Sequence, residues 1–365
     1  MEGGHKVRYL RRGLSKGEHR VMRFLLFLIL PWVAAGELRL NQIQMIGTHN
    51  SYHLTPSEKE MKVLGLFSKR ATKAWDYSRE SLDTQLDAGL RQFELDVFAD
   101  PEGGLYAAAD APDDDPMRKP GMKVLHVPVI DAGSVHPTLS SALKAVQKWS
   151  KERPRHIPVM ILLELKDRKE MPLGPSPVKF DRAQMEALEK EILGVFQRGD
   201  LITPDFVRGD AVTLREQILK KGWPHLSEVR GKVMFCLDNG GLHRETYLKG
   251  NPSLRKRICF VSVNSEHPAA AWMKMNDPVG RFAEIQKLVR MGFMVRTRAD
   301  AETREARTND RSRANKALAS GAQFISTDFP KKVPRISEYE VSLPGQVVAR
   351  PNPVSAPKGS AAVRE

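Results

Sequence analysis

The sequence predicts an α/β protein: a single-domain (β/α)8 TIM barrel, with room for distortion. Three observations carry this. Eight short apolar runs rich in Val, Ile and Phe recur from residue 42 onward, and such runs mark strands buried on both faces of a parallel sheet. Amphipathic segments of helical spacing lie between them. No glycine-rich phosphate loop follows the first run, which counts against an open doubly wound sheet.

The runs are 42–47, 91–98, 123–127, 158–165, 232–237, 258–263, 293–297 and 324–326. Segment 78–88 sets Leu82, Leu86 and, just beyond it, Leu90 at helical spacing; 139–149 does so with Leu143, Val146 and Trp149. Segment 182–196 repeats the pattern with Met185, Leu188, Ile192 and Phe196, and 282–289 and 315–318 complete the set. Residues 100–120 and 171–179, broken by Pro and Gly, read as long loops, and the triplet Asp113-Asp114-Asp115 reads as solvated.

Three regions are expected. Residues 1–35 read as a signal peptide: a basic stretch ends at Arg23, an apolar run covers 24–30, and Val33-Ala34-Ala35 offers small residues for cleavage. Met22 is an alternative start. Residues 36–335 form the barrel. Residues 336–365, proline-bearing and built from small residues, are expected to be a disordered tail. Export would make the protein secreted or periplasmic.

Composition narrows the function classes. Hydrophobic residues make up 41% and charged residues 28%, ordinary for a soluble globular chain and unlike a disordered or multi-span membrane protein. The net charge is +14, of which the leader, with seven Lys/Arg and two Glu, supplies +5. The remainder favours anionic partners such as a phospholipid surface. No basic run interleaved with aromatics, zinc-finger spacing or helix-turn-helix pattern points to nucleic acid. Cys236 and Cys259 sit in apolar runs and read as buried free thiols rather than a disulfide framework or a metal site.

Barrel enzymes build their sites where the strands end. The polar residues there are His49 and Asn50 after the first run, Glu94 and Asp96 in the second, His126 in the third, and Glu164 and Lys166 in the fourth. Asp238, the stretch Asn264-Ser265-Glu266, the pair Arg296 and Arg298, and Asp328 end the later runs. Strand period two puts Glu94 and Asp96 on one face. Two carboxylates inside an apolar run are costly to bury without a cation. With Glu164 and the Asn50 amide they offer an all-oxygen set, which suits Ca²⁺ or Mg²⁺ rather than zinc. His49 and His126 would then flank a divalent ion as an acid/base pair. Lys166, Arg296 and Arg298 are either phosphate holders or barrel-wall salt-bridge partners.

The order Gly47-Thr48-His49-Asn50-Ser51-Tyr52, Phe93-Glu94-Leu95-Asp96, Leu125-His126 and Leu163-Glu164 resembles the X-type catalytic barrel of phosphoinositide-specific phospholipase C. The closest branch is the secreted, calcium-dependent microbial one. The resemblance spans residues 40–330, including Ile325-Ser326-Thr327-Asp328. It implies that His49 and His126 are the catalytic pair and that Asn50, Glu94, Asp96 and Glu164 ligate one calcium ion. It also implies cleavage of phosphatidylinositol to diacylglycerol, with the substrate's 2-hydroxyl attacking phosphorus to give a cyclic inositol phosphate. His126 is suited to protonate the leaving oxygen and His49 to hydrogen-bond a phosphoryl oxygen. Glu94, Glu164 and His49 remain open as the base. The chain has no room for pleckstrin, EF-hand or C2 modules, and no basic cluster matches further ring phosphates.

A glycerophosphodiester phosphodiesterase or sphingomyelinase D-like enzyme would share the barrel, the Glu-x-Asp pair and a Glu-x-Lys strand such as Glu164-x-Lys166. Its first motif, however, would be His-Arg-Gly, not His49-Asn50-Ser51. An inactive lipid-binding barrel would show a lost histidine or carboxylate, and none is lost. The expected partner is a phospholipid at a membrane surface, with no obligate protein partner and a monomeric chain. Segment 62–70, with Leu64, Leu66 and Phe67 between Lys62 and Lys69-Arg70, reads as an interfacial wedge or as a short helix folded onto the barrel.

Overall fold

The structure is a computed structural model and describes residues 37–365; the signal-peptide reading of 1–35 lies outside the described residues. Eleven strands are present among them: β1 (Ile43–Thr48), β2 (Gln92–Phe98), β3 (Lys123–Val124), β4 (Val159–Leu165), β5 (Leu201–Ile202), β6 (Val233–Leu237), β7 (Cys259–Val261), β8 (Trp272–Lys274), β9 (Met294–Arg298), β10 (Phe324–Thr327) and β11 (Ala349–Pro351). Eight run parallel in the order β7-β6-β4-β2-β1-β10-β9-β8, with β5 pairing the start of β6. The sheet curls into a barrel whose outer strands, β7 and β8, share no ladder. Across that seam the Lys274 amide donates to Ser262 Oγ at 3.0 Å, and the Lys274 ammonium pairs with Asp238 beyond β6. The barrel is therefore distorted, open at one seam where both strands are only three residues long.

The apolar runs do what parallel strands require. All residues of β1, β2 and β6 are buried, and in β4 only Glu164 is not. The two longest helices among the described residues, Leu139–Glu152 and Arg182–Val195, pack apolar stripes onto the sheet: Leu139, Leu143, Val146 and Trp149 in one, Met185, Leu188 and Ile192 in the other. Thr138 and Asp181 cap their first turns by accepting amide hydrogens. The expected loop 100–120 is irregular apart from one short turn, Pro116–Arg118. It is pinned by buried Asp100, which accepts from the amides of Gly103 and Leu105 and pairs with Lys123 at 3.2 Å.

Two expectations are corrected. The run 123–127 is not a barrel strand: only Lys123 and Val124 are extended, and they pair antiparallel with Phe98 and Val97. The eighth barrel place belongs to β8, in a segment whose three extended residues leave too short a pattern to read. The second correction is the tail. Residues 336–365 are not a disordered appendage but part of the fold. Tyr339, Val341 and Leu343 are buried in the core. β11 pairs antiparallel with Ile43–Met45, along the edge of β1 that β2 meets only at Gly47. Asn352 donates to Gly321 O at 2.7 Å, and Glu365 receives the guanidinium of buried Arg91. The physical reason is that alternate residues 339, 341 and 343 are large and apolar, and burying each is worth roughly 1.5–3 kcal/mol. Removing residues 338–365 should lower the melting temperature by about 10 °C or more, or abolish soluble folding. A thermal scan unchanged by the truncation would contradict the packed tail.

Candidate active site

The site forms where β1, β2, β4, β9 and β10 end. At the first of these, Gly47 permits the approach of β2: a Cβ there would lie 2.4 Å from Gln92 Cβ and Gln92 O. The chain then turns sharply at Asn50, whose φ of 41° is tolerated by Asn better than by most residues. Ser51 locks the turn to β2, its amide donating to Glu94 O and its hydroxyl accepting from Glu94 N, both at 2.8 Å. Arg79, buried between β1 and β10, donates to His49 O at 2.9 Å and to Asp328 O at 2.6 Å.

Parallel register places Asp96 directly opposite Glu164, with Glu94 two residues earlier on the same face of β2. Carboxylate oxygens of Glu94, Asp96 and Glu164 lie within 4.8 Å of one another. Oxygens on opposite sides of one calcium ion, each at ~2.3–2.6 Å, are separated by about that much. Asp96 is 1% exposed. Among the described residues neither of its oxygens accepts a hydrogen bond, and Asn50 Oδ1, also buried, has no partner. Lys166 Nζ stands 3.4 Å from Asp96 Oδ2, 3.4 Å from Glu164 and 2.8 Å from Glu170. Burial, reinforced by Glu164, pushes the Asp96 carboxyl well above the usual range. Burial likewise raises Glu94, against the pull of Arg296. A divalent cation reverses this tendency by favouring the ionised forms. Orphaned, desolvated oxygens from Asp and Asn beside two glutamates are a donor set that fits a hard cation.

The two histidines sit in contrasting surroundings. His49 Nδ1 is 2.8 Å from Asp328 Oδ1, and its Nε2 is 4.0 Å from Glu94 Oε1. Arg298 lies 3.3 Å from each of its ring nitrogens and 3.1 Å from Asp328 Oδ2. Burial and the Arg298 charge hold this imidazole well below its ordinary value, despite Asp328. His126 Nδ1 is 2.6 Å from Asp131 Oδ2. Burial opposes its charged form, but the Asp131 hydrogen bond and charge outweigh burial and raise it.

Of the residues read from the sequence, His49, Asn50, Glu94, Asp96, Glu164 and Lys166 come together at this mouth, and His126 approaches from the β3 side. Arg296 is fully buried and pairs with Glu94, Asn276 Oδ1 at 2.6 Å and Ser326 Oγ at 3.0 Å. Arg296, Arg298 and Lys166 are all engaged by carboxylates, as barrel-wall salt bridges would be. Sequence reading missed Asp131 and Arg79, neither of which ends a strand, and gave Asp328 no role. Asp131 returns to His126 through a tight turn: the Val127 and Asp131 amides each donate to the other residue's carbonyl, and Ile130 N donates to Pro128 O. Val129 between them has a φ of 72°, strained for a β-branched residue.

The chain matches, over residues 38–353, the family described as phosphoinositide phospholipase C, Ca²⁺-dependent. The matched range runs past β11. Comparison with curated proteins finds no match. Among solved structures the chain is similar to the calcium-dependent phosphoinositol-specific phospholipase C of the Gram-negative bacterium Pseudomonas sp., with 18% identity, 87% of this chain and 96% of that one covered, and a TM-score of 0.53. It is also similar to the Ca²⁺-dependent phosphatidylinositol-specific phospholipase C of Streptomyces antibioticus, with 14% identity, 80% and 94% covered, and a TM-score of 0.53. At these identities the structural likeness shows the barrel fold, and the family match carries the activity. A distorted barrel, a calcium-type donor set at its mouth and a match across nearly the whole described chain lead to one conclusion: the chain belongs to the calcium-dependent phosphoinositide phospholipases C, phosphodiester hydrolases that act on phosphatidylinositol lipids.

Proposed function

We propose that the chain holds one calcium ion with Asn50, Glu94, Asp96 and Glu164, and that it cleaves phosphatidylinositol with His49 as base and His126 as acid. The observation that carries this is the set of buried, unpartnered oxygens on Asn50 and Asp96 lying between two His–Asp pairs. Bound calcium supplies Lewis-acid polarisation of the phosphoryl oxygens and acidifies the attacking hydroxyl.

The residues divide the remaining work. His49 donates its Nδ1 hydrogen to Asp328, so Nε2 keeps its lone pair, which Arg298 contacts at 3.3 Å, and the inositol 2-hydroxyl must displace that contact to pass its proton to Nε2. That oxygen attacks phosphorus as the bond to the diacylglycerol oxygen breaks. His126, oriented by Asp131, gives the leaving oxygen its proton from Nε2. The products are diacylglycerol and a cyclic inositol phosphate. Opposite environments around two titratable groups are the usual basis for such an acid/base division. The cations Lys166, Lys274, Arg296 and Arg298 are each already paired with a carboxylate, which favours a headgroup without further ring phosphates.

Two experiments test the chemistry. Asp96→Asn replaces a buried carboxyl that burial already biases toward its neutral form, so the metal-free variant should melt within a few degrees of the wild-type temperature. The same variant should lose the calcium-induced rise that the wild type shows. A wild-type melting curve indifferent to calcium would contradict the ligand set. In ³¹P NMR of phosphatidylinositol hydrolysis, the first product should be the cyclic phosphodiester, and His49→Ala and His126→Ala should each slow it by about 10²–10⁴-fold. A nitrophenyl leaving group should partly rescue His126→Ala but not His49→Ala. A direct acyclic product, or rescue of the opposite variant, would overturn the role assignment.

The lipid substrate also requires an interface. Leu66 is 84% and Phe67 51% exposed at the end of the helix Glu58–Phe67, beside Lys69 and Arg70, whereas Leu64 is buried. The wedge is thus a helix end rather than a loop, and Leu64 is not part of it. We read Leu66 and Phe67 as a membrane contact on the mouth side, fitting a protein exported through residues 1–35. Phe67→Ser should weaken binding to phosphatidylinositol vesicles and leave hydrolysis of a soluble short-chain substrate unchanged. Equal losses on both, with a lower melting temperature, would place Phe67 in the fold instead.

A further inference from the structure

We propose that His53 is a positioning residue of this enzyme: through Asp131 it fixes the ring of His126 and so the nitrogen that faces the leaving oxygen. This rests on the reading of His126 as the acid.

His53 follows His49 by four residues and is fully buried. Its Nδ1 is 3.0 Å from Tyr77 O and its Nε2 is 2.9 Å from both oxygens of Asp131. A carbonyl and a carboxylate only accept, so the ring meets an acceptor at each nitrogen, and its Nε2–H tautomer donates to Asp131. Asp131, also fully buried, accepts at its side chain from His53 and His126, and among the described residues no other hydrogen bond reaches that carboxylate. The turn that delivers Asp131 holds its backbone through Val129 at positive φ, and the two imidazoles orient its side chain. Strain of this kind persists where surrounding contacts over-determine the conformation. His53 supplies such a contact beside His126, the two rings meeting edge-on at 5.8 Å. The Tyr77 ring packs on His53 at 4.5 Å and Trp75 meets His126 edge-on at 4.8 Å, closing the set with aromatic walls.

The backbone around His53 is held independently of its side chain. Leu54 N donates to Gly133 O, Val135 N to Tyr52 O, and Arg79 N to His53 O. A side-chain substitution at 53 therefore tests the relay rather than the chain path. Without His53, Asp131 would keep one imidazole partner and gain room to rotate, so His126 would lose its fixed aim. General acid catalysis depends on that aim in proportion to how much the leaving oxygen needs a proton.

The test uses the full chain with saturating calcium and two substrates, phosphatidylinositol in mixed micelles and a nitrophenyl inositol phosphate. His53→Phe should lower kcat on phosphatidylinositol by about 10–100-fold with KM unchanged, a part of the usual worth of a general acid. It should act on the nitrophenyl substrate close to the wild-type rate. His53→Gln, which restores an N–H donor toward Asp131, should recover most of the loss. If His53→Phe does not fold, Asp131→Asn should give the same substrate-dependent loss. Equal losses on both substrates, or wild-type rates on phosphatidylinositol in the folded variants, would overturn the proposal. A wild-type enzyme inactive on both substrates would instead remove the reading beneath it.

Discussion

The cost of holding carboxylates out of water organises the mouth of this barrel. Asp96 is nearly inaccessible and among the described residues its oxygens accept no hydrogen bond, with Glu94 two residues away on the same face and Glu164 in register across the ladder. An uncompensated buried charge costs several kcal/mol even after relaxation. The surrounding strands answer with cations: Arg296 from β9 reaches Glu94, and Lys166 from the end of β4 reaches Asp96 and Glu164. These partners leave Asn50 Oδ1 and both Asp96 oxygens unsatisfied. The imbalance is what a divalent ion would resolve, and it is located where substrate phosphate would meet that ion.

The same accounting separates the two histidines. His49 has Arg298 against its ring, so its charged form is disfavoured even though Asp328 accepts from it. Among the described residues no cation is in hydrogen-bond contact with His126, and Asp131 favours its charged form. Arg79 connects this chemistry to the fold: by donating to carbonyls of both His49 and Asp328, it ties the ends of β1 and β10. The buried tail adds support from below, through β11 on the other edge of β1 and through the apolar side chains of Tyr339, Val341 and Leu343.

Much of this was legible because strands have a fixed period. Glu94-x-Asp96 and Arg296-x-Arg298 could be placed on one face each from spacing alone, and the ends of apolar runs marked where His49, Asn50 and Glu164 would stand. What escaped had other grammars. Asp131 lies in a turn whose shape depends on Val129 at positive φ, which nothing in the residue type announces. His53 and Arg79 act from loops that tertiary contacts place. β5 and β8, with two and three residues, are too short to show a pattern. Prolines near 351 and 353 suggested a tail without structure, yet Pro351 suits a short outer strand that needs no continuous ladder. The alternation at 339, 341 and 343 was the signal for packing there.

The account stands on calcium bound by strand-end oxygens, and a crystal structure of the protein grown with calcium tests this most directly. One ion is predicted, within about 2.3–2.6 Å of oxygens from Asn50, Asp96 and Glu164, with Glu94 completing the set. An ion bound elsewhere on the chain, or ordered Asp96 and Glu164 side chains with only water between them at saturating calcium, would contradict it.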